Sequence, residues 1–543
     1  MTTENLAAFD AVMTPLDGEL VIEASAGTGK TWSLTRIVLR LVVEKGMPIG
    51  RILLVTFTKA ATAELAARVK ELLTAALRAV LGEEDAGGFA PFMAAWAAQG
   101  ITAETAAKRL LAAVDNYDDA AVYTIHSFCQ RMLRDCVFSQ GGNFDVTPGD
   151  TTPWLKQTVD EFLRREVLAA ESDEVKRRLL AGEWETILRK LAVLPTQNSP
   201  DLRLKSDVVA AKKKKGATDE DEAVSIALQA ALKRFMAEAP KRFAGLKHEA
   251  GIEGFDDMLT VMEAALANDD FASVVRGRFD AVLIDEFQDT DSLQYSIFRR
   301  LFMTVPGVPA TLVFVGDPKQ SIYSFRSSDV AVYNAAVKDV GHTLQLTANW
   351  RSHPTLVAAV NVFFAETAER RPFLTEAIRF SPVEGKAAKA PLMKDGVSLP
   401  VFEIWKTDTA GRCTSAGASD TMEAEWAAED MAQLLAGGTT LDDRSLKPSD
   451  IAILVRDRRA AEPVVEALAR RGLRVLWRGN RDDVYTHEAA RDMLAVLRAV
   501  ESPKDRSLLA TAQATRLFGR SLEAIRAGLS ERIEDSLLLK TLA

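Results

Sequence analysis

The 543-residue chain carries 67 Lys and Arg against 76 Asp and Glu, a formal net charge of −9. This excludes a protein that holds nucleic acid by bulk positive charge, so any DNA contact must be local. The length exceeds the ~250–300 residues that one core supports, so several domains are expected. Three cysteines, with no CxxC or Cys/His cluster, argue against a disulfide scaffold or zinc site. With no secretory pattern and no ~20-residue apolar run, the expected compartment is the cytoplasm, with no membrane partner.

Residues 20–22 read as a short apolar strand, followed at once by Glu23-Ala24-Ser25-Ala26-Gly27-Thr28-Gly29-Lys30-Thr31. This run fits a phosphate-binding loop with Ala24 in the first glycine position. Small residues let successive backbone N–H groups close around a triphosphate. Lys30 supplies a point charge for the β- and γ-phosphates, and Thr31 a hydroxyl for Mg2+. A helix over 32–43 aims the positive end of its dipole at the same place. Residues 24–31 are therefore the expected ATP site.

Strand-like runs recur at 51–56, 281–284, 311–315 and 451–455, separated by helical patterns rich in Ala, Leu, Arg and Glu. The alternation predicts an α/β chain of parallel sheets flanked by helices, with active residues at the carboxyl ends of strands. Between 60 and 278 the pattern is mostly helical and too long for one crossover, so it reads as helical material inserted into the first domain. The four lysines at 212–215 suit a solvated loop as well as a phosphate contact. Residues 380–397 read as a surface excursion, and 447–455 as a fresh strand before an Ala-rich helix to 471. The strand at 281–284 ends in Asp285-Glu286. A phosphate loop needs such a pair: Asp285 to hold Mg2+ through water, and Glu286 to polarise the attacking water as general base.

Four further segments narrow the reading: Val55-Thr56-Phe57-Thr58-Lys59, Tyr123-Thr124-Ile125-His126-Ser127-Phe128-Cys129, Val315-Gly316-Asp317-Pro318-Lys319-Gln320-Ser321-Ile322-Tyr323-Ser324-Phe325-Arg326 and Leu346-Thr347-Ala348-Asn349-Trp350-Arg351-Ser352. With Asp285-Glu286-Phe287-Gln288-Asp289-Thr290, this ordered set resembles the UvrD-like branch of superfamily 1 DNA helicases. The loop sequence, the run from Thr124 to Leu133 and Phe255-Asp256-Asp257-Met258-Leu259 are most similar to the RecB-like group, the beta subunits of exodeoxyribonuclease V. Matching segments span 19–352, with looser similarity to 481.

The resemblance implies a RecA-like P-loop NTPase domain over 1–340, with a mostly helical insertion at about 150–275. It implies an incomplete second RecA-like domain over 341–483 and the start of a helical insertion over 484–543. It assigns γ-phosphate sensing to Gln320, a second phosphate charge to Arg351 and adenine stacking to Trp350. Phe57 and Phe325 become candidates for stacking on unpaired bases, Tyr323 for DNA contact, and Thr56, Thr124, His126 and Ser127 for backbone phosphates. Singly, each has a packing alternative; in this order the functional reading prevails. The implied activity is ATP- and Mg2+-dependent 3′→5′ DNA helicase or translocase action in double-strand break repair and recombination. Single-stranded and duplex-end DNA would be the substrates, and RecC-like and RecD-like subunits the partners.

Two departures stand out. Residues 1–18 hold no glutamine to read adenine. No Thr-Ile-His-Lys-like segment, later Thr-Arg helix or carboxylate-and-lysine nuclease module follows Arg351, so the chain is expected to be the N-terminal portion of a longer protein. A stand-alone UvrD-type or AddA-type enzyme is the alternative within the class. An ATP- and DNA-binding remnant without turnover is the alternative outside it.

Overall fold

Short runs of β-branched and leucine residues frame the first part of the molecule. The computed structural model describes residues 6–135, 147–170, 172–180, 188, 219–303, 305, 308–322, 330–367, 372–373, 378–405, 416–476, 485 and 487–528. The chain divides into two units, Met1–Leu392 with Ser398–Ile404, and Met393–Val397 with Trp405–Ala543.

In the first unit, among the described residues, seven parallel strands form one sheet. They are β1 (Ala7–Ala8), β2 (Gly18–Ala24), β3 (Ile52–Thr56), β4 (Ala121–Thr124), β5 (Ala281–Ile284), β6 (Thr311–Gly316) and β7 (Thr343–Leu346). Their spatial order is β1-β7-β2-β6-β5-β3-β4. Successive side chains of a strand face opposite sides, and here both sides are covered. Leu20, Ile22, Leu54, Leu283 and Val313 enter a core with helices Lys30–Val43, Lys59–Leu81 and Ala103–Asp115. Their neighbours Val21, Leu53, Val55, Val282 and Phe314 enter a second core with helices Ile125–Asp135, Ser292–Phe302 and Val330–Val340. Each such fully buried side chain contributes about 1.5–3 kcal/mol.

Local signals fix the helix ends. Thr58 accepts a hydrogen bond from the Ala61 N–H at the start of Lys59–Leu81, and Gly82 closes that helix in the left-handed conformation. The helix buries Leu65, Val69, Leu72, Leu73 and Ala76, spaced to present one apolar stripe.

Most of the described residues between β4 and β5 lie in helices. Helices Thr152–Ala169 and Asp219–Glu249 pack through Phe162 and Phe235, whose rings meet edge-on at 4.8 Å. Arg234 pairs with Glu166 at 2.5 Å beside them. The Phe255-to-Leu259 element opens helix Phe255–Ala265, where Asp257 accepts the Gly254 N–H at 2.7 Å and pairs with Lys247 at 2.5 Å. This element therefore has a structural role.

β7 pairs with β1 and β2, and helix Pro354–Phe364 lies in the first unit. One expectation is corrected. Residues 451–455 form no strand among the described residues, and Leu454 is 97% exposed. The apolar run resembles a strand, but no described segment pairs with it. In the second unit, helices Ala416–Leu435 and Arg458–Arg470 pack through Ala424, Ala428, Ala467 and Leu468. Helices Glu488–Glu501 and Arg506–Ala514 pack through Val496, Ala499, Leu509 and Ala512. No described helix is long and apolar enough to cross a membrane.

Candidate nucleotide site

The parallel sheet brings the singled-out motifs to one edge. The loop of 25–29 leaves the carboxyl end of β2, Thr56 ends β3, Thr124 ends β4, Asp285 follows β5 and Asp317 follows β6. Ligands of open α/β sheets bind along this edge.

The loop closes on itself: the Thr28 hydroxyl donates to the Ser25 carbonyl at 2.7 Å, and the Thr28 N–H to the same oxygen at 3.2 Å. Gly27 (φ +79°) and Gly29 (φ +94°) are left-handed. A Cβ on Gly27 would lie 2.7 Å from Asn349 Nδ2 and 2.9 Å from Arg351 Cβ, so glycine is required twice over. Lys30 then opens a helix whose next turn starts with the Ser33 N–H donating to Gly29.

Lys30 Nζ meets Glu286 Oε2 at 2.7 Å, with Lys30 mostly covered and Glu286 at 36% side-chain exposure. Glu286 itself has a left-handed backbone (φ 50°, ψ 42°), uncommon outside glycine and a mark of stored strain. Its N–H donates to Asp285 Oδ1 at 2.9 Å. Burial, then the charge of Glu286, pushes Asp285 up to about 6, against the pull of Lys30. The same influences raise Asp289 to about 6, and its Oδ1 is buried without a hydrogen-bond partner among the described residues.

Beyond the acids, Gln288 donates from Nε2 to Glu286 Oε2 at 2.7 Å and accepts the Asp317 N–H on Oε1 at 2.9 Å. Gln320 donates to Asp317 Oδ2 at 2.6 Å. Lys319 pairs with Asp317 Oδ1 at 2.8 Å and Glu23 Oε1 at 2.7 Å, tying this loop to the end of β2. Asn349 docks its own segment on the phosphate loop. Its Nδ2 donates to the Ala26 carbonyl at 2.8 Å, and its Oδ1 accepts the Arg351 and Ser352 N–H groups at 3.0 and 2.9 Å. The Trp350 N–H donates to the Gly27 carbonyl at 2.9 Å, which leaves the indole 63% exposed beside the loop. Lys30, Asp285, Glu286, Gln320, Trp350 and Arg351 thus share one neighbourhood.

The expected DNA contacts divide differently. The Thr56 hydroxyl lies 2.6 Å from that of Thr62 and is 2% exposed. Thr124 caps its helix, accepting the Ser127 N–H at 3.2 Å, with the two hydroxyls 2.5 Å apart. Both threonines therefore turn inward: Thr124 satisfies an N–H at the start of its helix, and the Thr56 hydroxyl is taken up by Thr62. Phe57, His126 and Ser127 are half-buried. Tyr323 and Phe325 lie outside the described residues. Gln288, Asp317, Lys319, Glu23 and Asn349 were overlooked as site residues, although all sit within or beside the motifs.

Residues 5–341 match the model of the UvrD/REP helicase N-terminal domain. The chain belongs to that family. Within the family it is RecB-like. It is 30% identical to the RecBCD enzyme subunit RecB of Escherichia coli (strain K12), over 94% of this chain and 52% of the relative. It is also 30% identical to the RecB of Mycolicibacterium smegmatis, over 95% and 45%, and 25% identical to that of Haemophilus influenzae, over 94% and 53%. The chain spans about half the length of these relatives.

Proposed function

We propose that this chain is the ATP-driven motor portion of a RecB-like DNA helicase that translocates 3′→5′ on a single strand. The observation that carries the reading is the 2.7 Å meeting of Lys30 and Glu286, which joins the phosphate loop to the acidic motif across 256 positions. Lys30 and the N–H groups of 27–31 would hold the triphosphate, and Trp350 would offer a face to adenine. Arg351 would bring a permanent positive charge to the same phosphates, and Gln320 would sense the γ-phosphate.

The donor set fits Mg2+, with the Thr31 hydroxyl opening the helix and a half-buried carboxylate, Asp285, at the strand end. Bound Mg2+ would neutralise developing charge on the phosphate oxygens. Glu286 would take a proton from water, its carboxylate poised by Lys30 and Gln288. Phe57, His126 and Ser127, on the same edge, would contact the DNA strand, and Tyr323 and Phe325 are assigned the same role by resemblance alone. RecC-like and RecD-like partners, a cytoplasmic setting and duplex-end substrates follow from the likeness to subunits of the RecBCD enzyme. A second RecA-like domain after the first belongs to the same reading.

The test is phosphate release with and without an unstructured oligonucleotide, comparing the wild type with Glu286→Gln. DNA stimulation lost in Glu286→Gln is the expected outcome. Polarity is read by streptavidin displacement from 3′- or 5′-biotinylated strands. Displacement from the 5′ end is the expected outcome; hydrolysis retained in Glu286→Gln, or displacement from the 3′ end alone, overturns the reading.

A further inference from the structure

We propose that Gln288 is a positioning residue that ties the Glu286 carboxylate to the loop carrying Gln320. This rests on the reading of Glu286 as the base. Gln288 is 2% exposed and uses both ends of its amide: Nε2 on Glu286 Oε2 at 2.7 Å, Oε1 on the Asp317 N–H at 2.9 Å. Its backbone carbonyl also accepts the Ser321 hydroxyl at 3.3 Å. The fit leaves no slack, since a Cβ on Gly316 would stand 2.8 Å from Gln288 Oε1 and 3.2 Å from its N.

Asp317 is the hub at the far end. It is 1% exposed, and its carboxylate is shared by Lys319 at 2.8 Å and Gln320 at 2.6 Å. Lys319 reaches on to Glu23, next to the phosphate loop. One hydrogen-bonded path therefore runs Lys30–Glu286–Gln288–Asp317–Gln320. A phosphate entering the loop competes for both ends of this path, drawing Lys30 from Glu286 and the Gln320 amide from Asp317. Gln288 sits between the two exchanges. It keeps the Glu286 carboxylate oriented once Lys30 turns to phosphate, and it makes the position of the Asp317 loop depend on that event. Only a side chain with a donor and an acceptor two bonds apart performs both tasks. Leucine offers neither, and glutamate keeps the acceptor but loses the donor.

The experiment compares full-chain Gln288→Leu and Gln288→Glu with wild type on three readouts. These are affinity for a fluorescent ATP analogue with Mg2+, kcat and KM for hydrolysis, and amide hydrogen exchange of residues 316–322 with and without Mg·ATPγS. Displacement of a catalytic group by ~1 Å costs on the order of 10²-fold in rate. Both variants should thus lose about 100-fold in kcat, with affinity and KM within about threefold. Nucleotide should change exchange of 316–322 in the wild type and in neither variant. The Asp317 amide should exchange faster in Gln288→Leu but stay protected in Gln288→Glu, which retains the acceptor. Adding Gln320→Ala to Gln288→Leu should cost little more than the slower single change.

An unchanged kcat, or a nucleotide response at 316–322 equal to wild type, overturns the proposal. So does a joint loss of affinity and melting temperature, which would mark Gln288 as plain packing. If the wild type hydrolyses no ATP, the motor reading fails, and the exchange measurement still decides the coupling.

Discussion

Lys30 and Glu286 are mutual counter-ions at 2.7 Å, so the lysine that would grip a phosphate already has an anionic partner. An incoming triphosphate must compete with that carboxylate. Glu286→Gln removes the competing charge and also the base. Nucleotide affinity should therefore be equal to or tighter than wild type while hydrolysis falls about 10²–10⁴-fold. Lys30→Ala should abolish both binding and turnover, yet keep the fold, because Glu286 is exposed enough to be solvated alone. Fluorescent-nucleotide titration, circular dichroism and phosphate release check the pair. Weaker binding by Glu286→Gln would contradict the competition.

Asp285 offers a test in pH. Its folded value, about 6, lies above the ~3.9 of an unfolded aspartate. The folded chain therefore binds the extra proton between about pH 4 and 6. Stability from this group is greatest below that window, falls as pH rises through it, and stays lower above it. In metal-free buffer at pH 7.5, Asp285→Asn should melt about 2–4 °C higher than wild type, with the gap closing toward pH 4. Mg2+-dependent nucleotide binding should weaken in the same variant. Equal melting at pH 7.5 would mean that the carboxylate is better solvated than its surroundings indicate.

Trp350 is anchored by its backbone and leaves its ring largely in water. Trp350→Ala should leave the melting temperature nearly unchanged, as surface substitutions do. It should lower ATP affinity by up to about tenfold through the lost stacking face, and Trp350→Tyr should restore most of it. A large drop in melting temperature with unaltered affinity would make the ring an anchor.

Thr124 separates a cap from a DNA contact. Thr124→Ala should cost about 1 kcal/mol of stability, and Thr124→Ser should recover it, because either hydroxyl accepts the Ser127 N–H. Urea unfolding measures this. Single-strand affinity at fixed salt should be unaltered in both; a selective loss of affinity in Thr124→Ala would return the hydroxyl to the DNA.

The central strands were legible because burial on both faces makes them continuous apolar runs. β2, β3, β5 and β6 were each expected within a few residues. β4 and β7 escaped because Ala-Val-Tyr-Thr and Thr-Leu-Gln-Leu are short and mixed in polarity. The run at 451–455 misled for the opposite reason, since apolarity alone does not supply a pairing partner. The phosphate loop and acid pair could be read locally, as their chemistry lies in consecutive residues. The Gln288–Asp317 contact spans 29 positions and exists only because β5 and β6 are neighbours. The inward turn of Thr56 was equally hidden, depending on a helix turn that places Thr62 above it.

The docking of Asn349 on Ala26, together with that of Trp350 on Gly27, makes the proposed base platform and the proposed phosphate cradle a single piece of hardware. A nucleotide would then enter a seat already assembled at both ends, and only the side chains that close over it would have to travel.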